Sequence, residues 1–421
     1  MRTYIFSFRL YNASIKLCIC LFLFASNIFA QSNPNYLSKK DSLDQCEKES
    51  GEFDIVDLYR MVIKKPVIDS CAPTKKAGKL HMAVLPAVGY SLVTKLAVVV
   101  AANAAFYADN EKSTKLSAVN FSIGYTQNNQ IILPILSNIW TKKNNYNLLG
   151  DWRYYKYPEY TYGLGGHTSI QNQDRLNYSN IIIHEAVLKH FFNTAIYIGA
   201  AYNLNYHWNV TETGNANGQV SDFKKYGLSK KSVSSGVSLN ALYDGRKNSI
   251  NPSEATYWNI AFCPNFTFLG SDHNYRSLTI DLRRYFKPFV NSDNILAFWS
   301  YNWFTFNGNV PYLDMPSTAW DAYSNMGRGY IQSRFRGKNL LYVETEYRFS
   351  ITRNGFLGGV VFANAQSVTD WPSNKFQTIY PAVGTGIRLK INKHSNTNVC
   401  IDYAFGLNGS NGVFINLGEV F

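Results

Sequence analysis

The chain has 421 residues with 41 basic and 28 acidic side chains, so its formal charge is +13 at pH 7. Aromatic residues make up 15% of it, yet the mean hydropathy is only −0.20. Six cysteines at this length exclude a disulfide-stapled scaffold. No uncharged apolar run reaches the roughly eighteen residues of a membrane-spanning helix.

Residues 1–30 have the layout of an export signal. Arg2, Arg9 and Lys16 precede or flank the start of an apolar core from Leu17 to Ala30, and Ala30 before Gln31 suits a cleavage site. Cleavage there removes three basic residues and no acid, so the formal charge falls from +13 to +10. We therefore expect an exported protein, with a retained N-terminal anchor as the alternative.

Residues 31–79 form a charged segment with little periodicity, which we interpret as a short periplasmic N-terminal segment. Cys46 and Cys71 both lie in it and could pair in an oxidising periplasm. Cys263 and Cys400 lie within strand patterns instead. We expect these two to be buried small residues rather than a disulfide.

From residue 80 to residue 421 the dominant pattern is alternation with a period of two, which sends successive side chains to opposite faces of a strand. In residues 341–351 one face is apolar, while the other carries Glu344, Glu346 and Arg348. Strands of about ten residues with this pattern, separated by turns rich in Asn, Gly, Asp and Ser, are typical of a transmembrane β-barrel. The sequence therefore predicts an all-β, antiparallel transmembrane barrel over residues 80–421, with about sixteen strands at roughly twenty-one residues each.

The chain contains few patterns that indicate chemistry. His184 and His190 are six residues apart rather than the four of a helical zinc motif, and on a strand they would lie roughly 20 Å apart. Glu344 and Glu346 are neighbours on one face, which is more typical of a channel lining than of an acid and base pair. We expect no metal, no cofactor and no enzymatic activity.

The positive charge would indicate nucleic acid in a cytosolic protein. On an exported barrel it indicates instead anionic lipid headgroups of the outer membrane and a positively charged lumen. We therefore expect outer-membrane lipid, and no nucleic acid, as a partner.

One connection is far longer than a hairpin needs. About thirty residues separate a strand ending at Phe306 from a strand beginning near Leu340, and long ordered loops are usually functional. This segment contains the sequence "MGRGYIQSRFRGKN", residues 326–339. A solvated basic loop is the alternative interpretation.

The chain resembles the bacterial surface-antigen superfamily of outer-membrane barrels, which includes the BamA and TamA assembly factors and related two-partner transporters. Arg328, Gly329 and Tyr330 match the family's Arg-Gly-aromatic signature in its sixth extracellular loop. Further similarity lies, in the family's order, in the segments "LYDGRKNSINP" (242–252), "ETEYRF" (344–349), "VVFANAQSV" (360–368), "GTGIRLKIN" (384–392), "IDYAFG" (401–406) and "NLGEVF" (416–421).

The resemblance implies that the loop folds back into the lumen and docks on the barrel wall. Arg328 would meet inward carboxylates, and Gly327 and Gly329 would let the backbone turn. The family often has an aspartate in the receiving strand where this chain has Asn364, so Glu344 or Glu346 would supply the docking charge. The alternation through Val413, Ile415 and Leu417 closes on Phe421, and we expect Leu417 and Phe421 to form a C-terminal assembly signal.

The family's assembly factors also carry periplasmic POTRA modules, and the stretch from Gln31 to Leu80 is shorter than one such module. The resemblance implies insertion or translocation of polypeptides at the bacterial outer membrane. Its partners would be client outer-membrane proteins and a separate periplasmic protein that supplies the missing modules. The alternative is a channel or transporter for small anionic solutes, with a basic lumen that sets its selectivity.

Overall fold

The computed structural model describes residues 51–64, 81–91, 95–109, 114–192, 194–215, 218–227, 229–290, 292–393 and 396–421. The predicted signal peptide, Cys46 and Cys71 lie outside these residues. In the described part of the chain, no helix combines the length and the hydropathy of a membrane span.

The described residues form one α-helix and eighteen β-strands. The helix, α1, is Ile55–Val62. The strands are β1 His81–Ser91, β2 Lys95–Phe106, β3 Ser117–Thr126, β4 Ile131–Trp140, β5 Tyr146–Lys156, β6 Glu159–Thr161, β7 Asp174–His190, β8 Ile196–Asn215, β9 Lys231–Asp244, β10 Ala255–Asn265, β11 Tyr275–Phe286, β12 Ile295–Phe306, β13 Asn339–Ser350, β14 Leu357–Asp370, β15 Lys375–Phe376, β16 Tyr380–Asn392, β17 Thr397–Gly406 and β18 Asn411–Leu417.

The strands pair in chain order, and every pair is antiparallel. Two short strands are accessories, since β6 pairs with β7, and β15 pairs with β14. Pairing of β5 with β7 and of β14 with β16 carries the main sheet past them. Within the described residues, sixteen longer strands thus make up the wall, as the sequence predicted.

The two faces of the wall differ as the alternation predicted. On the outer face Ile387 and Ile401 are 48% and 40% exposed. On the lumen face of the same strands Arg388 and Asp402 are 4% and 1% exposed. Outward apolar side chains suit lipid, and inward polar side chains suit a lumen, so the fold is a transmembrane antiparallel β-barrel.

Cys400 lies on the lumen face of β17 and is buried, as expected, whereas Cys263 in β10 is only partly buried. The thiol of Cys400 lies 3.1 Å from the carbonyl oxygen of Gly418. Cys263 and Cys400 are both free thiols.

The first and last strands leave the sheet unclosed. β1 pairs with β2 along its whole length, from His81 opposite Ala105 to Ser91 opposite Lys95. β18 pairs with β17. β1 and β18 lie next to each other, but no backbone ladder joins them in the described part of the chain. We call this junction the seam.

The connections differ between the two ends of the barrel. One end carries the longer connections, including residues 157–173, residues 371–379 and the segment 307–338, which we call the lumen loop. The other end carries mainly short turns, such as residues 351–356 and the turn that begins at Lys393. Because α1 approaches those turns, it lies at the end from which the chain enters the barrel.

Three acidic residues hold the α1 segment against the barrel mouth. Glu52 lies 2.7 Å from the lumen-facing Lys390, and Asp57 lies 2.9 Å from Lys393. The Phe53 ring also packs against Phe356, with 5.5 Å between ring centroids. In addition, Asp54 accepts a hydrogen bond from the main-chain nitrogen of Lys393. The opposite side of α1 leaves Tyr59 and Val62 mostly exposed.

We expect Lys393→Glu to detach α1, because the new carboxylate repels Asp57 and an isolated eight-residue helix is marginal in water. Hydrogen–deuterium exchange of residues 55–62 would then rise about tenfold or more, while exchange in β13–β17 stays unchanged. Lys287→Glu is the matched control, because Lys287 pairs with Asp293 in a different turn at the same end. Unchanged exchange in α1 would contradict the ionic attachment.

Candidate functional site: the docked lumen loop

The lumen loop is folded into the barrel and buries its three arginines, two of them almost completely. Arg328 is 1% exposed and Arg336 is 0% exposed. A buried guanidinium costs several kcal/mol of desolvation unless carboxylates and carbonyls satisfy its donors. The partners of these two arginines therefore define where the loop is held.

Arg328 ends in a pocket of three carboxylates. Its guanidinium donates to Glu344 and Glu346 of β13 and to Asp402 of β17. The side chains of these residues are fully buried. The guanidinium also lies over the ring of Phe362 in β14, 3.6 Å from its centroid, which adds a cation–π contact. The loop is thus held against three wall strands by one side chain.

The backbone beside Arg328 is held as closely as its side chain. The Asn364 amide donates to the Arg328 carbonyl at 2.9 Å, and the Ser410 hydroxyl donates to the Gly329 carbonyl at 2.7 Å. Gly327 and Gly329 both have positive φ angles, of 85° and 101°. A Cβ on Gly329 would lie only 2.7 Å from the Ala382 side chain, so only glycine fits between loop and wall.

Tyr330 completes the contact at the end of the barrel that carries the long connections. Its hydroxyl donates to the Pro381 carbonyl at 2.7 Å and accepts from the Leu407 main-chain nitrogen at 2.9 Å. Its ring lies against Gly406, where a Cβ would come within 2.6 Å of the tyrosine ring. Gly327, Arg328, Gly329 and Tyr330 therefore contact β13, β14, β16, β17 and the turn that follows β17.

The carboxylates around Arg328 belong to a larger ionic network. Glu346 lies 2.6 Å from Arg348, and Asp402 lies 2.5 Å from Arg388. Glu419, which follows β18, lies 2.8 Å from Arg388 and 3.6 Å from Arg348. Together with Glu344 and Arg328, three guanidiniums and four carboxylates share this site. We call this set the lumen ionic network.

A second buried ion pair holds the other end of the loop motif. Arg336 lies 3.0 Å from Glu159 of β6 and donates to the Tyr312 carbonyl at 2.9 Å. Glu159 also accepts a hydrogen bond from the Tyr178 hydroxyl at 2.9 Å, and burial raises its pKa. The Arg336 carbonyl in turn accepts from the main-chain nitrogen of Gly165 at 2.7 Å. This pair ties the lumen loop to the connection 157–173.

The structure brings Arg328 together with Glu344, Glu346 and Asn364, the partners that the sequence suggested. The Asn364 amide contacts the main-chain carbonyl of Arg328 rather than its guanidinium. Sequence reasoning missed Asp402, which supplies the third carboxylate. The alternation in β17 sends Asp402 inward and is the one signal that could have identified it. Glu159 and Glu419 gave no such signal, because neither lies in a long alternating strand.

The end of the chain departs from the predicted alternation. Leu417 is 57% exposed on the outer face, but Phe421 is 2% exposed and does not continue that face. Gly418 takes a positive φ of 86°, which turns the backbone away from β18. The Phe421 ring then packs 5.2 Å from Trp299 of β12. The register of β18 with β17 ends at Leu417, so the Phe421 ring can join the buried cluster.

Other candidate chemistry in the described residues does not form a reactive site. Asp370, His167 and Thr378 resemble a catalytic triad in their order, with His167 Nδ1 2.8 Å from Asp370. Thr378 Oγ1, however, lies 3.0 Å from Nε2 and 3.5 Å from Nδ1 of the same ring. A hydroxyl in line with Nε2 would be much farther from Nδ1, so this one lies over the ring face.

The two histidines considered for a metal have separate polar partners. His184 contacts Asn205 at 2.9 Å, and His190 contacts the Thr194 carbonyl. Among the described residues, no group of three or more His, Cys, Asp or Glu side chains is arranged to hold a metal ion.

A barrel of sixteen long strands with a docked loop in its lumen is the architecture of an outer-membrane β-barrel protein. Residues 113–415 match the Omp85 superfamily domain, and the chain belongs to this superfamily. Omp85 β-barrels are bacterial outer-membrane proteins, and the family's members generally act in assembly or translocation rather than in catalysis. No curated protein sequence matches the chain significantly.

Three solved structures show the same fold at low sequence identity. BamA from Haemophilus ducreyi lacking POTRA domains 1–3 has a TM-score of 0.51 and 11% identity, over 92% of this chain and 83% of that one. CdiB from Escherichia coli has a TM-score of 0.52 and 9% identity, over 80% of this chain and 62% of that one. CdiB from Acinetobacter baumannii has a TM-score of 0.50 and 12% identity, over 81% of this chain and 60% of that one. The chain thus spans about three-fifths of either CdiB. In its described residues α1 precedes the barrel, and no POTRA module is present there.

Proposed function

We propose that the protein assists the insertion or translocation of polypeptides at the outer membrane and that it does so without chemistry of its own. The observation that carries this proposal is the unpaired seam between β1 and β18 in a barrel of the Omp85 superfamily. The proposal includes export through a signal peptide cleaved before Gln31.

The seam supports this function because each strand edge there carries unused backbone donors and acceptors. β18 uses one edge to pair with β17, from Phe405 opposite Asn411 to Val399 opposite Leu417. Its other edge is available to an incoming strand, which would gain backbone hydrogen bonds without any chemical step. A client strand with the same apolar alternation would present its apolar face to lipid as it pairs.

The docked loop also supports this function, because it holds the wall strands beside the seam. Its contacts fall on β13, β14, β16 and β17, the wall strands that lead up to β18. Four strands held by one buried loop form a stiff wall beside the seam. A stiff wall lets the seam open locally while the rest of the barrel keeps its register.

The α1 segment supports the proposed separate periplasmic partner. Ionic contacts fix one side of the segment to the barrel mouth, while Tyr59 and Val62 are 64% and 72% exposed on its other side. An exposed apolar helix face suits a groove on another protein. We propose that this partner supplies the POTRA function and delivers client outer-membrane proteins.

The alternative, a channel for small anionic solutes, has less support. The lumen loop is packed inside the barrel, and the lumen ionic network contains one more carboxylate than guanidiniums. An anion-selective pathway needs an excess of positive charge along an open lumen.

The proposal is tested with purified protein in lipid vesicles. An unfolded eight-stranded outer-membrane barrel is added, and its folding is followed by its shift in gel mobility. We expect folding several-fold faster than in empty vesicles, and also faster than in vesicles that hold a trimeric porin. Equal rates in all three, together with a steady anion-selective conductance, would contradict the proposal and favour the channel.

A further inference from the structure

The last four residues of the chain fold back into the lumen. After β18 ends at Leu417, the Gly418 nitrogen donates to the Asn398 carbonyl at 2.8 Å, and the Glu419 nitrogen donates to the Ile250 carbonyl at 3.0 Å. Val420 and Phe421 are 4% and 2% exposed. We call residues 418–421 the tail.

The tail reaches β13, which also holds the loop, and the two strands before it. The main-chain oxygen of Phe421 accepts from Arg348 of β13 at 3.0 Å, and the Phe421 ring packs against Trp299 of β12 and Tyr285 of β11. The Val420 carbonyl accepts from the amide of Asn325, a residue of the lumen loop, at 2.6 Å. The tail therefore joins the end of β18 to the docked loop.

Ion pairs also connect the tail to the docked loop. Glu419 pairs with Arg388 and Arg348, and the same two arginines pair with Asp402 and Glu346. Asp402 and Glu346 are in turn partners of Arg328. If Glu419 leaves, Arg348 and Arg388 draw more strongly on the carboxylates that hold Arg328. If Arg328 leaves, four carboxylates face two guanidiniums, and the tail carboxylate is repelled.

We propose that Glu419 is a positioning residue that couples docking of the lumen loop to the inward position of the tail, and through the tail to the end of β18 at the seam. Opposite charges that enter one buried network stabilise each other, so each residue favours the docked state of the other. This coupling is reciprocal, as any coupling between two binding equilibria is. The role of this coupling rests on the proposed function, because a released tail frees β18 to pair with a client strand. The coupling itself does not require a client.

Cys400 is a native probe of the tail. It is 0% exposed, and its thiol contacts the carbonyl of Gly418 at the point where the tail turns inward. A tail that moves out uncovers this thiol. The loop has its own probe, because Arg334 and Arg336 are buried while the loop is docked, so trypsin cleaves after them only when the loop leaves the lumen.

The experiment measures both probes in purified full-length protein in detergent micelles. N-ethylmaleimide labelling of Cys400 is quantified on its own peptide by mass spectrometry, which separates it from Cys263. Trypsin cleavage within residues 307–338 is followed in parallel. We expect Arg328→Ala to accelerate labelling of Cys400, and Glu419→Gln to accelerate cleavage of the loop, each by about tenfold.

Three further variants make the outcome decisive. Glu419→Asp restores the charge and is expected to return loop cleavage most of the way to the wild-type rate. Asp151→Asn breaks a different lumen pair, with Arg153, and is expected to change neither probe. In the double variant of Arg328→Ala and Glu419→Gln, the effects are expected to be less than additive.

Unchanged Cys400 labelling in Arg328→Ala, with the loop shown to be released by trypsin, would overturn the coupling. Equal acceleration in Asp151→Asn would overturn it too, by showing general loosening. Both readouts omit a client, so they separate this inference from the function. If the two probes respond to each other's variants but the barrel does not speed client folding, only the proposed function is refuted. If the barrel speeds client folding but the two probes respond independently, only the coupling is refuted.

Discussion

Arg328→Ala is expected to lower the free energy of unfolding by about 3–5 kcal/mol, the usual cost of removing one partner from a buried ion pair. The substitution leaves Glu344, Glu346 and Asp402 fully buried without the guanidinium that satisfies them. It also removes the cation–π contact with Phe362. Urea unfolding of the barrel in lipid vesicles, followed by tryptophan fluorescence, measures the change.

Arg328→Lys separates charge from geometry. Lysine keeps the positive charge but cannot donate to three carboxylates in the planar arrangement of a guanidinium. We therefore expect the free energy of unfolding to lie between that of wild type and that of Arg328→Ala. Arg353→Ala is the matched control, because Arg353 is exposed in the turn 351–356, and we expect a change within about 0.5 kcal/mol. An Arg328→Ala barrel as stable as this control would refute loop docking by Arg328.

Glu159→Ala is expected to have an effect of similar size at the other anchor. It leaves the guanidinium of Arg336, which is 0% exposed, without a carboxylate. It also removes the acceptor of the Tyr178 hydroxyl. We expect a loss of about 3–5 kcal/mol, together with faster trypsin cleavage in the lumen loop.

The matched variant replaces the whole pair with apolar residues, as Glu159→Leu with Arg336→Met. Because replacing both partners removes the buried unpaired charge, this variant is expected to recover most of the lost stability. Glu159→Asp tests reach, since the shorter side chain withdraws the carboxylate from Arg336. If Glu159→Ala and the double apolar variant are equally unstable, packing rather than charge holds this anchor.

The wall of the barrel follows from the sequence because its physical rule is local. In β13 the outward face is mainly apolar, and the inward face carries Glu344, Glu346 and Arg348. The strand number follows from chain length and average spacing. The loop motif was identified by resemblance, and its arginine reaches two of the acids expected of it.

The remaining contacts depend on which strands become neighbours in space. Arg336 and Glu159 are 177 residues apart, and no local pattern relates them. Asp402 meets Arg328 only because β13 and β17 are brought to one side of the lumen. The inward tail depends on a left-handed turn at Gly418, which the alternation up to Leu417 does not predict.

The central claim, that this barrel assists the insertion or translocation of polypeptides, is tested most directly by depleting it in its host and quantifying outer-membrane proteins by mass spectrometry. The account predicts loss of other barrel proteins from the membrane and accumulation of their unfolded forms in the periplasm. Re-expression of wild type restores them, and re-expression of Arg328→Ala restores them less well. An unchanged set of outer-membrane proteins after full depletion would contradict the account.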